Sequence, residues 1–156
     1  MDRKPSQPLH NLAETKFIPP MLREDVIFRR RLLEELSNSL ASHPLTLLSA
    51  PAGYGKTTLL AALPQAQPDL PLAWLSLDEE DNDPTRFLTA LISALQRLNP
   101  ACGTTAKSLL TDPALPITEP RRVASVLIND ILETQAEPLA LVLDDLHRLS
   151  EPAIFV

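Results

Sequence analysis

Leu45-Thr46-Leu47-Leu48-Ser49-Ala50-Pro51-Ala52-Gly53-Tyr54-Gly55-Lys56-Thr57-Thr58 passes from an apolar run of strand length, through a loop, into a helix-forming stretch reaching about Leu63. The loop holds two of the chain's 3 glycines. Glycine makes up roughly 7% of an average sequence, so two in one loop of a glycine-poor chain mark a backbone that requires them. In a strand–loop–helix turn of this kind, successive backbone N–H groups converge on an anion at the helix N-terminus. The pattern GxxxxGK[ST] is met except at its first glycine, where Ala50 stands. It assigns Pro51, Ala52, Gly53, Tyr54, Gly55 and Thr58 to a cradle for nucleotide phosphates. Lys56 would reach the β and γ phosphates, and the hydroxyl of Thr57 would join a Mg2+ shell. The triplet Gly-Lys-Thr/Ser alone arises by chance in roughly one chain in ten of this length. Its place between an apolar strand and a helix favours the phosphate reading over a plain turn with a surface lysine.

Outward from the loop, Leu139-Ala140-Leu141-Val142-Leu143-Asp144-Asp145 reads as a buried strand that delivers two carboxylates at its C-terminal edge, where open parallel sheets bind ligands. Asp144 is the candidate magnesium carboxylate, and Asp145 the candidate catalytic residue that orients or deprotonates an attacking water, with Lys56 beside it. Glutamate is the commoner choice at the position of Asp145, which predicts slow hydrolysis. Taken alone, Asp-Asp after a strand serves equally well as the cap of a following helix; the loop upstream tips the balance to metal.

Between these poles, Leu72–Leu77 is a second apolar strand. Helical spacing of apolar residues predicts helices over 28–41, from Pro84 through Leu98 with Asp83 as its cap, and over 120–134, with a shorter one near 106–110. Strands alternating with helices imply an α/β fold: a parallel sheet of about three strands with flanking helices, of the P-loop nucleotide-binding type. Residues 1–14, polar and without apolar periodicity, read as a flexible tail. Lys16–Ile27 reads as extended because of Pro19-Pro20. The acidic loop Asp78–Asp83 reads as a solvated connection rather than a second metal site, since it would repel phosphates. His147 and Arg148 could sense a γ-phosphate, though a surface role suits both. Arg121 and Arg122 face solvent or pair with the acidic loop, and Trp74 belongs to the core.

Composition narrows the partners. With 14 basic against 20 acidic residues the net charge is −6, which leaves no basic face for direct DNA binding. One cysteine, Cys102, excludes an internal disulfide and fits a reducing cytoplasm. No apolar stretch approaches the roughly 20 residues that span a bilayer, so no membrane role is expected.

Several motifs in order carry a resemblance: Thr15-Lys16-Phe17-Ile18-Pro19-Pro20, Arg29-Arg30-Arg31-Leu32-Leu33, the loop itself, Ala73-Trp74-Leu75-Ser76-Leu77-Asp78, and Leu143-Asp144-Asp145-Leu146-His147. Over residues 15–156 the chain resembles the MalT-like group of LuxR-type transcriptional regulators. The resemblance implies a signal-transduction ATPase (STAND) switch domain that binds ATP with Mg2+ and, in the full-length family, self-associates. It places Val26, Ile27 and Arg29 near the adenine, although a strand-like cover over the sheet explains them too. DNA would be bound only through a C-terminal helix-turn-helix that lies outside this sequence. The sensor strand, winged-helix subdomain and sensor repeats of the family are likewise absent. That predicts a fragmentary regulator with an incomplete sheet, in which the strand at 45–49 lacks its neighbour. A small P-loop phosphotransferase and an inactive remnant of the regulator are the alternatives; the first needs an arginine-bearing lid that these residues do not supply.

Overall fold

A computed structural model describes residues 12–112 and 120–155. Among them the helices are α1 (Arg30–Ser42), α2 (Lys56–Ala61), α3 (Leu63–Ala66), α4 (Pro84–Gln96), α5 (Thr104–Thr111) and α6 (Pro120–Thr134), and the strands β1 (Leu72–Ser76) and β2 (Ala140–Asp144). Short 3-10 turns cover Glu14–Phe17, Glu79–Asn82, Leu146–Arg148 and Pro152–Ile154.

The two strands pair in parallel, in register from Leu72 opposite Ala140 to Ser76 opposite Asp144. Because side chains alternate along a strand, the pair supplies two cores. Ala73, Leu75 and Leu143 face α4, α5 and α6, where Leu88, Ile92, Leu95, Leu110, Val123 and Leu127 close the larger cluster. Trp74 and Val142 face the opposite way, onto Leu36 of α1, Ala61 of α2 and Leu63 of α3. The result is helices on both faces of a parallel sheet, an incomplete P-loop α/β fold. Trp74 is 2% exposed and its indole N–H donates to Ser76 Oγ at 2.8 Å, so its polar end is satisfied as well as its ring.

Local chemistry sets the helix boundaries. The Asp83 carboxylate accepts from the Arg86 N–H at 2.8 Å and Pro84 occupies the first turn, which starts α4 where the sequence predicts it. Gly103 precedes α5 at φ +69°, and a Cβ there would lie 3.0 Å from both Ile92 Cγ2 and Leu127 Cδ1. Asp130 of α6, 7% exposed, accepts from the Ala106 N–H at 3.0 Å and so caps α5 from a neighbouring helix.

The segment Leu45–Ser49 departs from expectation. It joins no ladder: residues 45–49 make no backbone–backbone hydrogen bond with other described residues, and Leu45 and Leu47 are 83% and 75% exposed. Two strands are paired rather than about three. A strand exists through its neighbours, and among the described residues no third strand pairs with β1 or β2, so apolarity alone leaves 45–49 unpaired. One side-chain bond, Ser39 Oγ to Thr46 Oγ1 at 2.8 Å, ties it to α1. Near the N-terminus, residues 1–11 of the expected tail lie outside the described residues. Leu12 packs half-buried against the larger core and Glu14 opens a 3-10 turn, inside the span read as tail.

Candidate nucleotide site

Gly53 and Gly55 adopt φ +81° and +78°, a region that L side chains rarely enter. A Cβ on Gly53 would meet nothing within 4 Å, so it is the backbone angle and not space that calls for glycine there. Gly55 then acts as the residue before α2, and its carbonyl accepts the Leu59 N–H at 2.9 Å. No side chain caps this helix start. Its free N–H groups and the positive end of its dipole therefore face whatever the loop holds.

Lys56 folds back over the loop: Nζ donates to the carbonyls of Ala50 at 2.7 Å and Pro51 at 3.1 Å. An ammonium has three donors, so a third stays available above the cradle. From the next residue, Thr57 Oγ1 donates to Asp144 Oδ1 at 3.0 Å, joining the loop to the end of β2 across 87 positions of sequence. Asp144 is 7% exposed. A hydroxyl and a carboxylate oxygen side by side, next to a phosphate-type loop, form the hard oxygen set that suits Mg2+, and these residues fit the ion. Asp145 sits at φ +59°, the one described non-glycine residue at positive φ, with its side chain 46% exposed and Oδ1 3.8 Å from His147 Nδ1. Such angles in non-glycine residues concentrate at functional sites.

The remaining sequence candidates are spread more widely. Pro51, Ala52 and Tyr54 line the exposed rim, while Thr58 is half-buried. Arg29 Nη1 donates to the Tyr54 carbonyl at 3.3 Å, which brings the segment before α1 against the loop. Val26 is half-buried and Ile27 is 89% exposed. The open groove between α1 and α3, lined by Arg30, Glu34, Ser37, Asn38 and Gln67, includes none of the loop residues. Among the described residues no helix is long and apolar enough to cross a membrane.

Residues 25–153 match the family described as AAA ATPase domain. The chain belongs to this family. It is 38% identical over 143 residues to the HTH-type transcriptional regulator MalT of Yersinia enterocolitica serotype O:8 / biotype 1B. To proteins of the same description from Serratia proteamaculans and Cronobacter sakazakii it is 38% identical over 146 residues and 34% over 145. Each match takes in 92% of this chain but 15% of the relative, so the chain spans a small part of the proteins it resembles.

The acidic loop of this AAA ATPase domain is a solvated connection only in part: Glu79, Glu80 and Asp83 are exposed, but Asp81 is buried and Asp78 half-buried. Asp78 caps its 3-10 turn, accepting from the Glu80 N–H at 2.9 Å, while Asp81 Oδ2 accepts from the Asp78 N–H at 2.8 Å to complete a capping box. Lys16 Nζ reaches in from the N-terminal turn to Asp81 Oδ2 at 2.5 Å and Asp78 Oδ2 at 2.6 Å, and the Asp81 side chain is fully buried. Arg86 pairs with Glu80 and approaches Asp81 Oδ1 at 3.8 Å, too far for a hydrogen bond. Burial raises the pKa of the Asp78 carboxyl. The bond and charge of Lys16, the Glu80 N–H and the charge of Arg86 outweigh it and hold the group below its ordinary 3.8. The i, i+3 spacing of Asp78 and Asp81 is the capping-box signal a reading of the sequence could have used. Nothing local announces Lys16, which is 65 positions from Asp81. His147 and Arg148 are exposed, with Arg148 Nη1 3.4 Å from Glu79 Oε1, and Arg121 and Arg122 are exposed on α6.

Proposed function

We propose that the chain is the Mg-ATP-binding switch module of a MalT-like transcriptional regulator. The observation that carries the reading is the hydrogen bond from Thr57 Oγ1 to Asp144 Oδ1, because it joins the two elements a nucleotide site needs, a phosphate loop and a metal carboxylate. In this reading the N–H groups of residues 52–58 and the third donor of Lys56 take the β and γ phosphates. Thr57 and Asp144 hold Mg2+, which when bound neutralises phosphate charge. Asp145 orients the water that attacks the γ-phosphate, and a carboxylate shorter than glutamate makes that step slow. Val26, Ile27 and Arg29 form the side of the site nearest the base, with Arg29 already bonded to the loop.

The relatives' description as HTH-type transcriptional regulators, together with the family resemblance of the motifs, extends the proposal to the whole protein. A helix-turn-helix outside these residues would bind DNA, ATP would favour self-association, and the protein would work in the cytoplasm. The net charge of −6 agrees with a segment that does not itself meet DNA.

Titration calorimetry with ATP and Mg2+ on the native chain and on Lys56→Ala tests the reading. We expect binding in the native chain and none in the variant, with the melting temperature of the nucleotide-free protein preserved. Unchanged affinity in Lys56→Ala would refute it.

A further inference from the structure

An asparagine side chain offers two donors and one acceptor oxygen, and Asn82 uses both ends. Its Nδ2 donates to the Glu79 carbonyl at 3.1 Å, inside its own turn, and to the Arg148 carbonyl at 2.9 Å. Its Oδ1 accepts from the Ser150 N–H at 2.6 Å, the Glu151 N–H at 3.0 Å and Ser150 Oγ at 3.3 Å. One side chain thus captures three backbone groups, at 148, 150 and 151, in the segment that follows the two aspartates. Leu149, between them, is buried in the larger core.

That segment is a tight turn. The Arg148 N–H donates to the Asp145 carbonyl at 2.9 Å and the Leu149 N–H to the Leu146 carbonyl at 3.1 Å, with Asp145 held at positive φ. Its near end is set by β2, whose last residue, Asp144, is bonded to Thr57. Its far end is set by Asn82. Asn82 is itself fixed, since the capping box of Asp78 and Asp81, the pairing with Lys16 and the start of α4 at Asp83 lock the loop on both sides.

We infer that Asn82 is a positioning residue of the nucleotide site, one that sets Asp145 relative to Asp144 and Thr57 by gripping the turn at 148–151. It acts through that turn and touches no ligand. The inference rests on the nucleotide reading above.

A double-mutant cycle tests it, with Asn82→Ala, Asp145→Asn and the pair, measured as kcat and KM for Mg-ATP hydrolysis, the step assigned to Asp145. Asn82→Ala should reduce kcat roughly two- to tenfold and leave KM and the Mg-ATP affinity unchanged, an effect that general loss of structure would not produce. It should have no further effect once Asp145 is Asn, because the two act as one unit. Asn82→Asp keeps the oxygen that receives the Ser150 and Glu151 amides, and should lose less. Additive losses, or an Asn82→Ala chain with the native kcat, overturn the inference. In the nucleotide-free chain, hydrogen exchange at the Ser150 and Glu151 amides should speed up in Asn82→Ala; unchanged exchange also overturns it. Because that measurement needs no ligand, a native chain that binds no ATP is recognised separately as a failure of the underlying reading.

Discussion

At the scale of single residues, the group with most at stake outside the nucleotide site is Lys16. Its ammonium and the Asp81 carboxylate are both withdrawn from water, 2.5 Å apart. Removing one partner of a buried pair leaves the other charge uncompensated, which destabilises by roughly 3 kcal/mol. Lys16→Met should therefore lower the unfolding free energy from urea titration by that amount, while ATP affinity of the remaining folded protein stays close to native. Asp78 adds a pH dependence whose sign follows from its lowered pKa. A carboxyl with a folded-state pKa below the unfolded one stabilises the fold fully above the unfolded value and loses that contribution as pH falls through the folded value. Thermal stability should hold from neutrality to about pH 4 and drop below it, and the drop should be shallower in Asp78→Asn. Neither effect is readable from local sequence, because a run of carboxylates looks solvated until a lysine from far away is seen to enter it.

At the scale of elements, α5 shows how tightly its neighbours define it. Gly103→Ala would force a Cβ to within 3.0 Å of Ile92 and Leu127 while keeping a positive φ. The expected loss is about 2 kcal/mol, measured by thermal unfolding. Asp130→Ala would remove the oxygen that receives the Ala106 N–H and should cost about 1 kcal/mol. The helices were legible because their signals are local. Asp83-Pro84 starts α4 where capping chemistry places it, and the apolar stripe of Val123 and Leu127 marks α6. The turn before α2 was legible for the same reason, since glycines at positive φ and a Lys-Thr pair at a helix start act within a few residues. Leu45–Ser49 was misread because strand formation depends on a partner that no property of the run itself reveals. The proximity of Thr57 to Asp144 could be inferred only from where parallel sheets gather their C-terminal ends.

At the scale of the whole molecule, several apolar side chains lie outside both cores and uncovered. Leu45, Leu47 and Ile27 are each at least three-quarters exposed, and Leu141 of β2 is 36% exposed. Unpaired, apolar edges promote association between chains. Replacing Leu45 and Leu47 together with Glu should reduce concentration-dependent light scattering. Stability should change by no more than about 0.5 kcal/mol per site, as befits exposed positions.

The contact that joins Thr57 to Asp144 spans 87 positions, and the one from Lys16 to Asp81 spans 65. Contacts between segments so distant along the chain form late, after the intervening helices have collapsed. On the ribosome the glycine turn would thus emerge long before the acidic side chain it must meet, and Mg-nucleotide could be retained only once synthesis had passed β2. On the proposed reading, capture of ATP would then mark the moment at which translation has brought the loop and its carboxylate together.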